Sequence, residues 1–270
     1  MSDAFRERLS GIGAARTRGG RPGTAAPARS LDELRGVVRT EGVLVVERAA
    51  SDLWRGSERR VLEELREARA AAHGPNGIDS TVLALLERPE DALFLDTETT
   101  GLAGSMVFLL GAMRVRGDDL VLTQVLARDY REEPALLEAW REMAQRARLL
   151  VSFNGKAFDV PVLRDRLGLH RIASPQEPAH VDLLHHARRR WRTVLPDCRL
   201  QTLEWQLCGR RRTGDIPGEE IPAAYHHFVR TGDPRDMLTV LHHNALDLLT
   251  LADIALALAT DDGARGGEDR

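Results

Sequence analysis

The clearest periodic signal in the chain lies near its C-terminus, in "TGDPRDMLTVLHHNALDLLTLADIALALAT". Apolar residues recur there at Leu238, Leu241, Ala245, Leu248, Ala252 and Ala255. These alternating steps of three and four are the period of an α-helix. Asp233 is placed to cap it, with Pro234 at the first helical position, where a missing N–H costs nothing. In an unbroken helix His243 and Asp247 stand four apart, about 40° around the axis, on one face. His242, five positions back, is turned by about 140° and points elsewhere. A helix beginning after the histidines would instead let a loop bring His242 in.

Shorter apolar runs precede this helix. "GVLVVERAA" (42–50) reads as a strand, and "SERRVLEELREARAAA" (57–72) as an amphipathic helix opened by a Ser cap and broken by "HGPNG" (73–77). Together they make a small N-terminal appendage over 31–88. The main domain, 89–260, opens with "ALFLDTE" (92–98), an apolar strand ending in acids. "VFLLGAMRV" (107–115) and "LVLTQVLA" (120–127) follow as an antiparallel meander. Beyond them, the helical spacing of "EEPALLEAWREMAQRA" leads into the buried strand "RLLVSFN" (148–154). "DVPVLRDRLG" opens another helix, and "AHVDLLHHARRRW" is a short strand running into a helix. Strands first antiparallel and then alternating with helices indicate an α/β fold, a mixed sheet flanked by helices. Ligands gather beyond the carboxyl ends of strands in such sheets. Asp96, Glu98, the stretch from Asn154 to Asp159, and Asp182 all fall at such ends.

Composition narrows the function classes. With 43% apolar and 29% charged residues the 270-residue chain is globular, and its formal charge of -3 excludes a uniformly basic surface. Nucleic-acid contacts would come from local patches. No apolar run reaches the roughly 18 residues of a membrane helix. Cys198 and Cys208 lack metal-ligand spacing and read as reduced thiols of a cytoplasmic protein. Residues 1–30, rich in Gly, Ala and Arg, and residues 261–270 are expected to be disordered tails. Among 38 basic residues the single lysine is Lys156.

Three acid clusters remain: Asp96 with Glu98, Asp159 after "FNGKAF", and Asp247 after His243. Four convergent carboxylates raise one another's pKa, a conflict that hard divalent cations resolve. Two such ions about 3.5–4 Å apart serve phosphodiester hydrolysis, and a neighbouring histidine can take the proton from water. The stretches "FLDTETTGL", "VSFNGKAFDVPVL" and "HHNALDLLTL" resemble the three motifs of the DEDD (DnaQ-like) 3′–5′ exonucleases, which have a ribonuclease H-like fold. More closely, the run from Leu93 to about Leu258, about 60% of the chain, resembles the YprB-type ribonuclease H-like family. "HVDLLHHARRRW", "LPDCRLQTLE" and "DIPGEEIPAAY" share in that likeness.

The resemblance implies a two-metal 3′–5′ exonuclease acting on 3′ ends of single-stranded DNA or RNA. It implies Asp96, Glu98, Asp159 and Asp247 as ligands of two Mg²⁺ or Mn²⁺ ions, and a histidine as general base. Histidine-type members of the wider superfamily place four residues between the histidine and the last aspartate, which selects His242. The closer "HNxxD" pattern selects His243, as the helical wheel does. Asn154 and Lys156 are candidates for holding a substrate phosphate, with a plain turn as the alternative; the compact ammonium differs in kind from a guanidinium. The runs "RRRWR" (188–192) and "GRRRTG" (209–214) could grip a nucleic-acid backbone, with Trp191 stacking on a base, or form solvated helix faces. Asp182 could support the metal site or cap a helix. The rival class is a non-catalytic nucleic-acid-binding module on the same fold.

Overall fold

The computed structural model describes residues 31, 34, 36–39, 42–50, 63, 67, 88–101, 105–117 and 119–260. The expected tails and "HGPNG" lie outside the described residues. So does most of the helix expected over 57–72, of which Glu63 and Glu67 are described, helical and exposed.

One seven-stranded mixed sheet organises the described chain. Its strands are β1 (Val37–Arg39), β2 (Leu44–Ala49), β3 (Ala92–Thr99), β4 (Val107–Arg116), β5 (Asp119–Leu126), β6 (Leu149–Ser152) and β7 (Ala179–Asp182), in the order β1-β2-β5-β4-β3-β6-β7. β3, β4 and β5 form the antiparallel meander, while β6 and β7 add parallel strands beside β3. The helices are α1 (Glu133–Arg146), α2 (Asp159–Leu169), α3 (Leu183–Trp191), α4 (Leu200–Cys208), α5 (Ile221–Thr231) and α6 (Arg235–Thr260).

The strand expected in an appendage joins this sheet. β2 pairs antiparallel with β5 over six residues, from Leu44 opposite Leu126 to Ala49 opposite Val121. The reason is local: β5 is buried along most of its length and needs a neighbour for its outer backbone groups. A strand pairing with one so distant in sequence leaves no periodic signal.

Alternation along β3 sorts its side chains onto two faces. Phe94 packs with Met113, Leu122, Val151 and α6 residues such as Leu248, Leu249 and Ala252. Leu93 and Leu95 pack on the other side with Leu136, Leu137 and Leu163 from α1 and α2. Asp96 and Glu98 therefore share the face that α6 crosses. α6 runs unbroken past both histidines, and Asp233 Oδ1 accepts the N–H of Arg235 at 3.1 Å as an N-cap should.

Candidate active site

Three strand ends and one helix bring the acids together. β3 is regular through Asp96, opposite Gly111, and its register shifts between Glu98 and Thr99, a bulge of the kind that re-aims side chains beside functional sites. Next to it β6 ends at Ser152, and a tight loop leads into α2. Asn154 turns that loop with φ 65°, and Asp182, at the end of β7, ties it down. The Asp182 carboxylate accepts the backbone N–H of Asn154 at 2.7 Å, of Lys156 at 3.1 Å and of Leu184 at 3.1 Å. It thus caps α3 and shapes the loop at once. Gly155 is required by space: a Cβ there would lie 2.3 Å from Ser152 Oγ and 3.1 Å from Asp159 Oδ2. Asp159 opens α2, and its Oδ1 accepts from Thr97 N–H at 3.1 Å and Thr97 Oγ1–H at 2.6 Å.

The fourth acid arrives on α6. Asp247 Oδ2 lies 3.3 Å from His243 Nε2, one helical turn away, while His242 is exposed. His243 Nδ1 lies 2.9 Å from both oxygens of Asp215, on the segment between α4 and α5. Arg212, from the same segment, donates to Asp247 Oδ1 at 2.5 Å, to Glu204 Oε2 at 2.6 Å and to Asp215 Oδ2 at 3.2 Å. Glu98, His243 and Asp247 each offer one ligand atom, and these atoms lie within 4.8 Å of one another.

The electrostatics follow from this crowding. Burial, then Asp247, Glu98 and Asp159, drive Asp96 far above the usual carboxylate range, against a hydrogen bond from Asn244. Burial pushes Glu98 up to about 8; His243 opposes that, and Asp247, Asp159 and Asp215 add to it. Asp159 rises to about 6, chiefly by burial, with the Thr97 hydrogen bonds holding it back. Asp247 is also pushed up by burial, yet His243 and Arg212 hold it below its ordinary value. His243 loses ground to burial, but Asp247, Glu98 and Asp215 carry it up to about 9. Three carboxylates forced upward around a cluster of hard oxygen atoms suit a divalent cation of the Mg²⁺ or Mn²⁺ type, whose charge would let all of them ionise.

The fold brings Asp96, Glu98, Asp159, Asp247 and His243 together. Asn154 and Lys156 sit on the adjoining loop, engaged through their backbone N–H groups, with the Lys156 side chain exposed. Two expectations are corrected. Trp191 cannot stack on a base, because it is among the largest fully enclosed side chains of the core. Nor is "GRRRTG" a phosphate-gripping run. The side chains of Arg210 and Arg212 are only 8% and 7% exposed and are held by Glu204, Asp253, Asp215 and Asp247, and Arg211 stacks 3.5 Å over the Trp205 ring. An Arg run looks basic in sequence, and only the fold reveals the acids that neutralise it. Asp215, Arg212 and Asn244 were missed as site residues; Asp215 lies 28 positions from His243 and Arg212 35 from Asp247, so no local spacing marks them. Phe158, immediately before Asp159, is 60% exposed.

Comparison with known proteins agrees with this architecture. The RNase_H superfamily matches residues 93–259. The chain is 37% identical over 189 residues to the uncharacterized protein YprB of Bacillus subtilis (strain 168), covering 68% of this chain and 46% of that protein. It therefore spans less than half the length of that relative. Among solved structures it is similar to the family B DNA polymerase from the hyperthermophilic archaeon Pyrobaculum calidifontis. The TM-score is 0.51 at 17% identity, over 62% of this chain and 24% of the polymerase, a likeness of fold. With its mixed sheet and the match over most of its described core, the chain belongs to the RNase_H superfamily.

Proposed function

We propose that the protein is a metal-dependent 3′–5′ exonuclease that hydrolyses phosphodiester bonds of single-stranded DNA or RNA to nucleoside monophosphates. The observation that carries the proposal is the clustering of Glu98, His243 and Asp247, whose ligand atoms lie within 4.8 Å of one another, with the charges of Asp96 and Asp159 beside them. Asp96, Glu98, Asp159 and Asp247 would hold two Mg²⁺ or Mn²⁺ ions, which supply Lewis-acid stabilisation of charge developing on the phosphate.

The chain's own residues do the rest. His243 accepts the proton of the attacking water at Nε2, while Asp215 holds the proton on Nδ1 and so fixes the tautomer. His243 must be neutral to do this. A divalent cation held by Asp247 and Glu98 would offset the negative charge that carries its pKa up. Arg212 keeps Asp247 ionised and its Oδ1 oriented. The exposed Lys156 ammonium and the Asn154 side-chain amide steady a phosphate beside Asp159, and the exposed Phe158 ring offers a face to a terminal base.

The test is incubation with linear and circular single-stranded DNA and RNA, with and without Mn²⁺. The proposal expects metal-dependent digestion of linear strands only. Cleavage of circles would make the protein an endonuclease, and binding without digestion would make it a non-catalytic module.

A further inference from the structure

A polar chain runs across the sheet to Asp96 from the far side of the site. Arg48 on β2 donates Nη2–H to Gln124 Oε1 on β5 at 2.8 Å. Gln124 Nε2 donates to the Leu241 carbonyl at 2.7 Å and to Asn244 Oδ1 at 2.8 Å. Asn244 Nδ2 donates to Asp96 Oδ2 at 2.8 Å. Gln124 and Asn244 are both wholly buried.

The strand register makes room for it. Asp96 on β3, Gly111 on β4 and Gln124 on β5 stand directly opposite one another, in one row across the sheet. Gly111 is the gap in that row. A Cβ there would come within 2.2 Å of Asn244 Oδ1 and 2.7 Å of Nδ2, so Asn244 on α6 occupies the space a side chain would fill. It bridges Gln124 to Asp96 over the bare backbone.

The direction of the chain is fixed from one end. An arginine only donates, so Arg48 takes the Gln124 oxygen and turns the Gln124 amide nitrogen toward α6. That nitrogen takes the Asn244 oxygen, and the Asn244 amide nitrogen is then left facing Asp96. Neither amide can flip without setting like groups against each other.

We infer that Asn244 is a positioning residue for Asp96, oriented through Gln124 by Arg48, so that β2 is part of the apparatus that prepares the site for its cation. The inference rests on the metal-dependent reading above. By engaging Oδ2 of Asp96, Asn244 sets the rotation of that carboxylate and presents Oδ1 for ligation.

Gln124→Glu tests it with almost no change of shape. The introduced carboxylate still accepts from Arg48 but has nothing to donate to Asn244, whose amide must flip to donate to it. The Asn244 oxygen then faces Asp96 Oδ2. Mn²⁺ affinity by titration calorimetry should fall about 10–100-fold, the usual loss when an outer partner of a metal ligand is removed. Wild-type circular dichroism would accompany that loss. Asn244→Ser, too short to reach Asp96, should weaken binding likewise and serves if Gln124→Glu does not fold. Wild-type Mn²⁺ affinity in both folded variants would overturn the relay and leave the metal reading standing. No Mn²⁺ binding by the wild-type protein would overturn the metal reading, and the relay with it.

Discussion

Replacing Arg212 by methionine keeps much of the side-chain stem and removes one buried charge. Its guanidinium sits among Glu204, Asp215 and Asp247, and the side chain is only 7% exposed. Glu204 would keep Arg210, whose Nε lies 2.8 Å from Oε1. Among the described residues His243 would be the one cationic partner left to Asp247 and Asp215, which already share it. Stripping one partner from a buried ion pair costs about 3–5 kcal/mol. The surviving Arg210 contact places Arg212→Met near the lower end, about 3 kcal/mol. For a domain of this size each kcal/mol moves Tm by about 2–4 °C, so the variant should melt roughly 6–12 °C below wild type in chelator. The assay is thermal unfolding followed by circular dichroism, repeated with Mn²⁺. A cation beside Asp247 compensates part of the missing charge, so Mn²⁺ should raise the Tm of the variant more than that of wild type. A variant melting within about 2 °C of wild type in chelator would refute the reasoning, because the cluster would then be charge-neutral without Arg212.

Two further outcomes follow from the same geometry. Burial and neighbouring acids raise Glu98 to about 8 and Asp159 to about 6, and carboxylates raise His243 to about 9, all above unfolded values of about 4 and 6.5. Each group binds its proton more tightly when folded, so chelated protein should lose stability as pH rises from about 4 to about 9. Saturating Mg²⁺ should flatten that slope in pH-dependent melting curves; a chelated protein whose stability rises over this range contradicts the assignment. Asp215→Asn keeps the size but not the charge of the His243 partner. It should lower nuclease turnover about 10–100-fold with little change in KM, as kinetics on a short oligonucleotide would record. Unchanged turnover would dismiss the orienting role.

Much of this candidate site is legible in the sequence, for a physical reason. The steps of three and four from Leu238 to Ala255 mark one continuous helix, and continuity alone separates His243 from His242. The acids closing "ALFLDTE" and opening "DVPVLRDRLG" could likewise be placed at strand and helix ends by periodicity. What stayed hidden is what spans the sheet or leaves regular structure. Asp215 and Arg212 lie on the segment between α4 and α5, which carries no period. The pairing of Leu44–Ala49 with β5 depends on residues about 75 positions away and not on its own pattern. Gly111 looks like a flaw in a strand until Asn244 is seen to fill its place. The arginines of "GRRRTG" look free until Glu204 and Asp253 are brought beneath them.

The most direct test of the central claim is digestion of a 5′-end-labelled single-stranded oligonucleotide in Mn²⁺, with wild type, Asp96→Ala and Asp247→Ala side by side. A ladder of products shortened from the 3′ end is predicted for wild type, absent from both folded variants and from chelated wild type. A nuclease activity that survives both substitutions, or a folded wild-type protein that digests nothing, would contradict it.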